Sequence, residues 1–438
     1  MIKTFVNAWK VPELRKKMIF TIFIVVIYRI GSAVPVPFVN IIDNIIDANN
    51  QTFLNYISMI AGSAFGYGTI FAMGVTPYIN SSIIIQLLTV AIPALERLSK
   101  EGEEGRKKIQ SITRYVTIGL AVLQSTAYFI YLRSEGYILQ NAEGNNYGGF
   151  FGVLQGITVV LCLTAGASLV MWLGEQINDK GIGNGISIIL FAGILSRLPY
   201  TVYALWSYFK MGSDASAYYA IVPVIVILLI AMVAYIVWMD NAERRIPVQY
   251  AKRVVGRKMY GGQSTHIPIK VNMSGVLPVI FASSILSIPS TVQMFLSEDK
   301  QDAAIFRWFS ADHWFYAIVY FVLILFFAYF YASIQYNPIE MANNIRKNSG
   351  MIPGIRPGKP TSDYIQKILS RMVLLGALTL SVVALFPNVM TLFTTLIQHP
   401  VAISLGGTSL IILVGVALET VKQLESQMMM RHYKGFLD

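Results

Sequence analysis

The 438-residue chain has a single cysteine, Cys162, set in an apolar run. A lone thiol excludes a disulfide framework and a cysteine-type metal site. Four histidines, His266, His313, His399 and His432, are scattered without ligand spacing. No GxxxxGK[ST] phosphate loop and no GxSxG elbow occurs, so two common nucleotide-binding and hydrolase signatures are missing. Charge is scarce: 13% of residues are Asp, Glu, Lys or Arg, against about a quarter in soluble domains. With 55% hydrophobic residues and a mean hydropathy of +0.57, the main solvent is a bilayer. The pattern calls for no cofactor and no metal.

What the chain does have is long apolar runs. Crossing ~30 Å of hydrocarbon takes about 20 helical residues. Ten stretches predict spans: Met18–Val36, Thr69–Leu95, Ser111–Leu132, Phe150–Leu173, Gly185–Tyr203, Ala220–Trp238, Gly275–Phe295, Trp314–Tyr336, Met372–Ile397 and Val401–Leu418. Met18–Val36 has the basic start of a signal peptide, but nine spans follow it, which favours a retained helix. Pro77, Pro93, Pro223, Pro278, Pro289 and Pro387 fall inside these runs. They are tolerable there because neighbouring helices satisfy freed backbone groups.

Two segments recur. Gly74-Val75-Thr76-Pro77-Tyr78-Ile79 through Ser82 in the second span matches Gly275-Val276-Leu277-Pro278-Val279-Ile280 through Ser283 in the seventh. Gly185–Gly193 likewise matches Gly407–Gly415 at nearly the same spacing. Paired interrupted helices in corresponding halves of a membrane chain point to a path through the bilayer; chance similarity between apolar segments is the alternative. Two pairs at nearly one spacing suggest a duplication with about five helices per half, residues 1–210 and 211–438.

Basic residues set the orientation. They crowd the N-terminus, the second-to-third, sixth-to-seventh and eighth-to-ninth connections, and the tail. The other side carries only Arg133, Arg197, Lys210, Lys300 and Arg307, so both termini are expected in the cytoplasm. Two cytoplasmic loops, 240–271 and 337–370, are longer than topology requires. They hold Arg244, Arg245, Lys252, Arg253, Arg257, Lys258, Arg346, Lys347 and Arg356. Contact with lipid head groups explains such charge but not the length. A docking platform for an acidic or RNA-rich partner explains both.

On the outer side, Pro35–Gly68 bears Asp43 and Asp47 and then turns small and apolar. It is too short and Gly-rich for a span, which leaves an interfacial loop or a re-entrant segment buried in protein. The span interiors nearly lack the Asp, Glu, Lys, Arg and His that ion-coupled transporters use. Arg29 lies near the outer end of the first span, and Glu419 and Lys422 at the cytoplasmic end of the last. The repeats offer aliphatics instead: Val75, Ile79, Ile186, Leu190, Val276, Ile280 and Ile412. These are either plain helix packing or, if they share an axis, an apolar ring that stops ions by dewetting.

The chain resembles the SecY family, the central subunits of the bacterial protein-conducting channel and relatives of the eukaryotic ER translocon. The resemblance runs through Arg29-Ile30-Gly31, Pro35-Val36-Pro37, Pro77-Tyr78-Ile79, Lys100-Glu101-Gly102-Glu103 and Trp172-Leu173-Gly174-Glu175-Gln176. It continues with Gly181-Ile182-Gly183-Asn184-Gly185, Tyr250-Ala251-Lys252-Arg253, Pro353-Gly354-Ile355-Arg356-Pro357-Gly358 and Gly406-Gly407-Thr408-Ser409. It implies an all-α membrane protein of ten transmembrane helices, in two pseudo-symmetric inverted five-helix halves closed like a clamshell around a central pore. It implies a pore ring of Val75, Ile79, Ile186, Leu190, Ile280 and Ile412, with Val75 and Leu190 where isoleucine is commoner. It turns the outer stretch at about 54–68 into a plug, including Ile57, Ile60, Phe65 and Tyr67.

A lateral gate is implied between the second and seventh helices. Asn80, Ser81, Ser82, Gln86, Asn272, Ser274, Ser283 and Ser284 would close it by hydrogen bonds of about 0.6 kcal/mol each. The implied function is passage of unfolded polypeptide across the bacterial plasma (inner) membrane and sideways release of apolar segments such as signal helices. The protein is then not an enzyme. The implied partners are the small subunits SecE and SecG, the SecA ATPase, a translating ribosome met through its rRNA, secretory and membrane-protein substrates, and membrane lipids. Arg356 falls where the family keeps a critical loop arginine. The competing expectation is a secondary solute transporter, which shares inverted repeats and broken helices.

Overall fold

The structure, a computed structural model, describes residues 2–39, 63–134, 136–140, 149–211, 217–250, 253–255, 258–260, 264–294, 308, 313–396 and 406–434. Each expected span falls on helix. The first is α2 (Pro12–Gly31), preceded by α1 (Ile2–Lys10). After the short α3 (Ser63–Gly66), the second span is α4 (Thr76–Ala91) with α5 (Pro93–Lys100). The third and fourth are α6 (Glu103–Ser134) and α7 (Gly149–Lys180), and the fifth is α8 (Gly185–Leu195) with α9 (Leu198–Lys210). The second half follows with α10 (Ala217–Asn241), α11 (Leu277–Met294), α12 (Trp314–Gln335), α13 (Pro338–Lys347), α14 (Lys359–Leu396) and α15 (Gly407–Lys434).

By length and apolarity alone, seven described stretches can cross a membrane, eight with the bent α4–α5 pair, rather than ten. Of the two short of that mark, α2 has a visible reason: its opening turns carry Glu13, Arg15, Lys16 and Lys17. The other, α11, is an uncharged helix from Leu277 to Met294 with Pro289 inside it. The second span also starts later than expected, at Thr76, because residues 67–75 form turns. It breaks by 101° after Ala91. Pro93 forces Ile92 out of the helical region, to φ −107 and ψ 114.

The recurrent segments turn out to be helix beginnings rather than interruptions within helices. Gly74 (φ 51) and Gly275 (φ 62) both sit in the left-handed region, which glycine enters without a Cβ penalty. Each is followed by a helix with proline in its first turn, Pro77 or Pro278, where a missing N–H costs no hydrogen bond. The second pair is alike in another way. A Cβ on Gly185 would strike the Gly174 carbonyl of α7, and one on Gly407 the Val383 carbonyl of α14. A third pair went unseen in the sequence. Ile70, four residues ahead of Gly74, rests its carbonyl on Gly166 of α7; Val271, four ahead of Gly275, rests its own on Gly376 of α14.

The two long basic loops are not irregular. In the first, β1 (Glu243–Tyr250) pairs antiparallel with β4 (Ser264–Lys270), with β2 (Arg253–Val255) and β3 (Lys258–Tyr260) as a hairpin between them. In the second, α13 is capped by the Asn337 side chain, which accepts from the N–H groups of Ile339 and Glu340. It is followed by β5 (Gly350–Met351), after which α14 starts at Lys359. β5 adds to the free edge of β1, with Gln249 opposite Met351 and Tyr250 opposite Gly350. The loops therefore build one sheet, ordered β4-β1-β5. Its inner face, Ile246, Val248 and Ile269, packs with Ile345, Ile352 and Ile365.

Candidate pore, gate and docking surface

The largest buried cluster draws on all four recurrent helices, α4, α8, α11 and α15. Val75 and Ile79 come from the start of α4, Leu190 from α8, Ile280 from α11 and Ile412 from α15; all five are buried, and half-buried Ile186 packs against them. The six expected ring positions thus all belong to, or pack against, one large apolar cluster. Val75 stands at the N-cap of α4 and Ile79 one turn later, its N–H donating to the Val75 carbonyl at 3.0 Å. The left-handed glycine and the first-turn proline aim that turn inward. Among the described residues the one buried carboxylate is Glu175. It lies near the C-terminal end of α7, where Oε1 accepts from Arg114 Nε at 2.7 Å and Gln110 Nε2 at 3.0 Å. This clamp joins α6 to α7, and it was missed in the sequence because its members are far apart in the chain.

The expected gate residues lie on or beside α4 and α11, both of which feed the central cluster. Their polar groups mostly bond elsewhere. Ser81, fully buried, shares a 2.5 Å hydrogen bond with Thr117 of α6 and donates to the Tyr78 carbonyl at 3.0 Å. Ser283 donates to Val279 and Ile280 of its own helix. Gln86 reaches Ser82 at 3.4 Å, Asn272 donates to Asp240 at 2.8 Å, and Ser274 donates to the Ala328 carbonyl at 3.3 Å. Ser284 also has a partner. The buried Oδ1 atoms of Asn80 and Asn272 have none. Of the first-half helices, α6 packs against α11, so the third span lies beside the seventh, where the second was expected.

Ile57 and Ile60 lie outside the described residues. Phe65 is fully buried, but in a separate cluster with Met73, Tyr128 and Leu163 rather than in the central one. Tyr128 holds it there, ring against ring at 4.6 Å, with the phenol donating to the Phe65 carbonyl at 2.7 Å. Tyr67 is exposed.

On the loop sheet, Arg244 and Arg245 are exposed, and Glu243 partly neutralises Arg245 at 2.7 Å. Arg346, Lys347 and Arg356 are exposed as well. Arg253 and Lys258 belong to the β2–β3 hairpin, while Lys252 and Arg257 lie outside the described residues. At the chain ends, α1 packs on α15, and Thr4 donates to Glu425 at 3.0 Å, so both ends gather on one side.

The SecY family model matches residues 69–421. The protein translocase subunit SecY of Streptomyces galbus is 45% identical, with 100% of both chains covered. That of Corynebacterium glutamicum is 41% identical over 99% of each chain, and that of Mycobacterium tuberculosis 40% over 100%. A solved structure described as a protein conducting channel superposes with a TM-score of 0.66 at 18% identity, covering 96% of each chain. Sec61 in the canine ribosome-channel complex gives 0.63, also at 18% identity and 96% coverage. At that identity these two matches speak to the fold.

Proposed function

The chain belongs to the SecY family, and from that premise we propose how its parts divide the work of a protein-conducting channel. It is an all-α, multi-pass membrane protein and a translocase subunit. Residues 1–210 and 211–438 act as the two halves, and the three matched glycine pairs support that division. Val75, Ile79, Ile186, Leu190, Ile280 and Ile412 form the ring through which an unfolded chain passes. The observation that supports this reading is that five of the six lie in one large buried apolar cluster and the sixth, Ile186, packs against it. A narrow hydrocarbon constriction expels water and so blocks ions, yet it has no directional bonds that a sliding polypeptide must break.

The seam of α4 and α6 against α11 serves as the lateral gate, opening for apolar signal helices. Residues 54–68 serve as the plug. The loop sheet docks the SecA ATPase and the translating ribosome, which supply the energy that the channel does not make. SecE and SecG complete the complex, in the plasma membrane, with both termini cytoplasmic. The solute-transporter reading has little support, since the one buried carboxylate among the described residues is engaged by Arg114.

The test is electrical. Ile79→Ser combined with Ile280→Ser places hydroxyls in the constriction, and purified protein in planar bilayers is expected to pass ions while idle. Conductance unchanged from the parent protein removes the ring.

A further inference from the structure

Away from the ring, a cavity of about 560 Å³ opens between α6 and α7 near the ends opposite the Arg114–Glu175 clamp. Gly152 and Gly156 strip side chains from one face of α7, and a Cβ on Gly156 would be a tight fit, 3.0 Å from the Phe129 ring. The rim, Val153 and Leu161, is apolar and exposed, so the trough opens onto hydrocarbon. The one charged lining residue is Arg133, in the last turn of α6.

From Gly149 to Leu161 the trough runs about 18 Å at 1.5 Å per residue. That is close to one leaflet, half of the ~30 Å core. A partner's membrane helix needs the full thickness; a lipid tail needs this much. The positive charge at the head-group end matches a phosphodiester, which guanidinium binds through paired N–H donors.

We propose that the α6–α7 trough binds one phospholipid of the outer leaflet, its acyl chain along Gly152 and Gly156 and its phosphate at Arg133. The leaflet follows from the sidedness proposed above; the binding itself does not depend on it. The probe is palmitoyl-oleoyl-phosphatidylglycerol in nanodiscs, with retained lipid counted by native mass spectrometry of the released full chain. Arg133→Gln is expected to lower the lipid-bound fraction about tenfold, the scale of one lost charge-assisted contact. Val153→Trp, on the exposed rim, is expected to do the same by filling the trough. Lys210→Gln, at another outer cation, is expected to leave the fraction unchanged. Retention at the parent level in both trough variants overturns the proposal, as does an equal loss in Lys210→Gln or a co-purifying polypeptide displacing the lipid.

Discussion

Glycine does two different jobs in this chain, and substitution separates them. Gly275 is needed for its backbone angle: φ is 62, yet nothing lies within 4 Å of where a Cβ would go. Gly407 is needed for space, because the Val383 carbonyl occupies the Cβ position. Alanine is expected to cost about 1–3 kcal/mol at either site, from backbone strain at Gly275 and overpacking at Gly407. Asparagine tolerates the left-handed region, so Gly275→Asn should regain part of the loss, whereas Gly407→Asn should be worse than alanine. Thermal unfolding of the detergent-solubilised protein checks this; no recovery at 275 would mean that its angle is not what matters. The sequence exposed the Gly74/Gly275 and Gly185/Gly407 matches because their neighbours match too. It hid Gly166 and Gly376, whose flanks differ and whose partners are backbone carbonyls from distant segments.

At the level of elements, the loops show why charge and length are readable when pairing is not. The run of arginines and lysines is visible in the sequence and led to the expectation of a platform, but β5, two residues long, gives no such signal. Only the docking of Ile352 into the cluster under the sheet fixes its place beside β1. Arg356, exposed four residues later, is positioned by that anchor, and its carbonyl also accepts from Thr361 Oγ1 at 2.8 Å. Arg356→Glu should therefore cut motor-driven export into inverted membrane vesicles severely while the protease-resistant core stays intact. Ile352→Asp should cut export as much, and should also expose the second loop to trypsin, because a buried carboxylate drives the loop off the sheet. Normal export by Arg356→Glu would remove the docking role; a protected loop in Ile352→Asp would remove the anchor.

For the molecule as a whole, orientation follows from where positive charge is concentrated, and the packing adds an independent constraint. Because α1 lies against the end of α15, both ends share a side whichever side that is. An even number of crossings is then required. Seven free-standing spans fail that condition, whereas eight or ten satisfy it. Every expected span overlaps a described helix, so the ten expected crossings, an even number, fit the packing of α1 on α15. Charge then predicts the side, because the positive-inside rule expects the basic loops in the cytoplasm. The sole cysteine makes this testable in intact cells. On a Cys162→Ser background, a membrane-impermeant maleimide should label Ser134→Cys, at the outer end of α6, and leave Lys10→Cys and Lys422→Cys unlabelled until the membrane is opened. Labelling of either terminal site in sealed cells would reverse the orientation. Labelling of one but not the other would contradict the packing of α1 on α15.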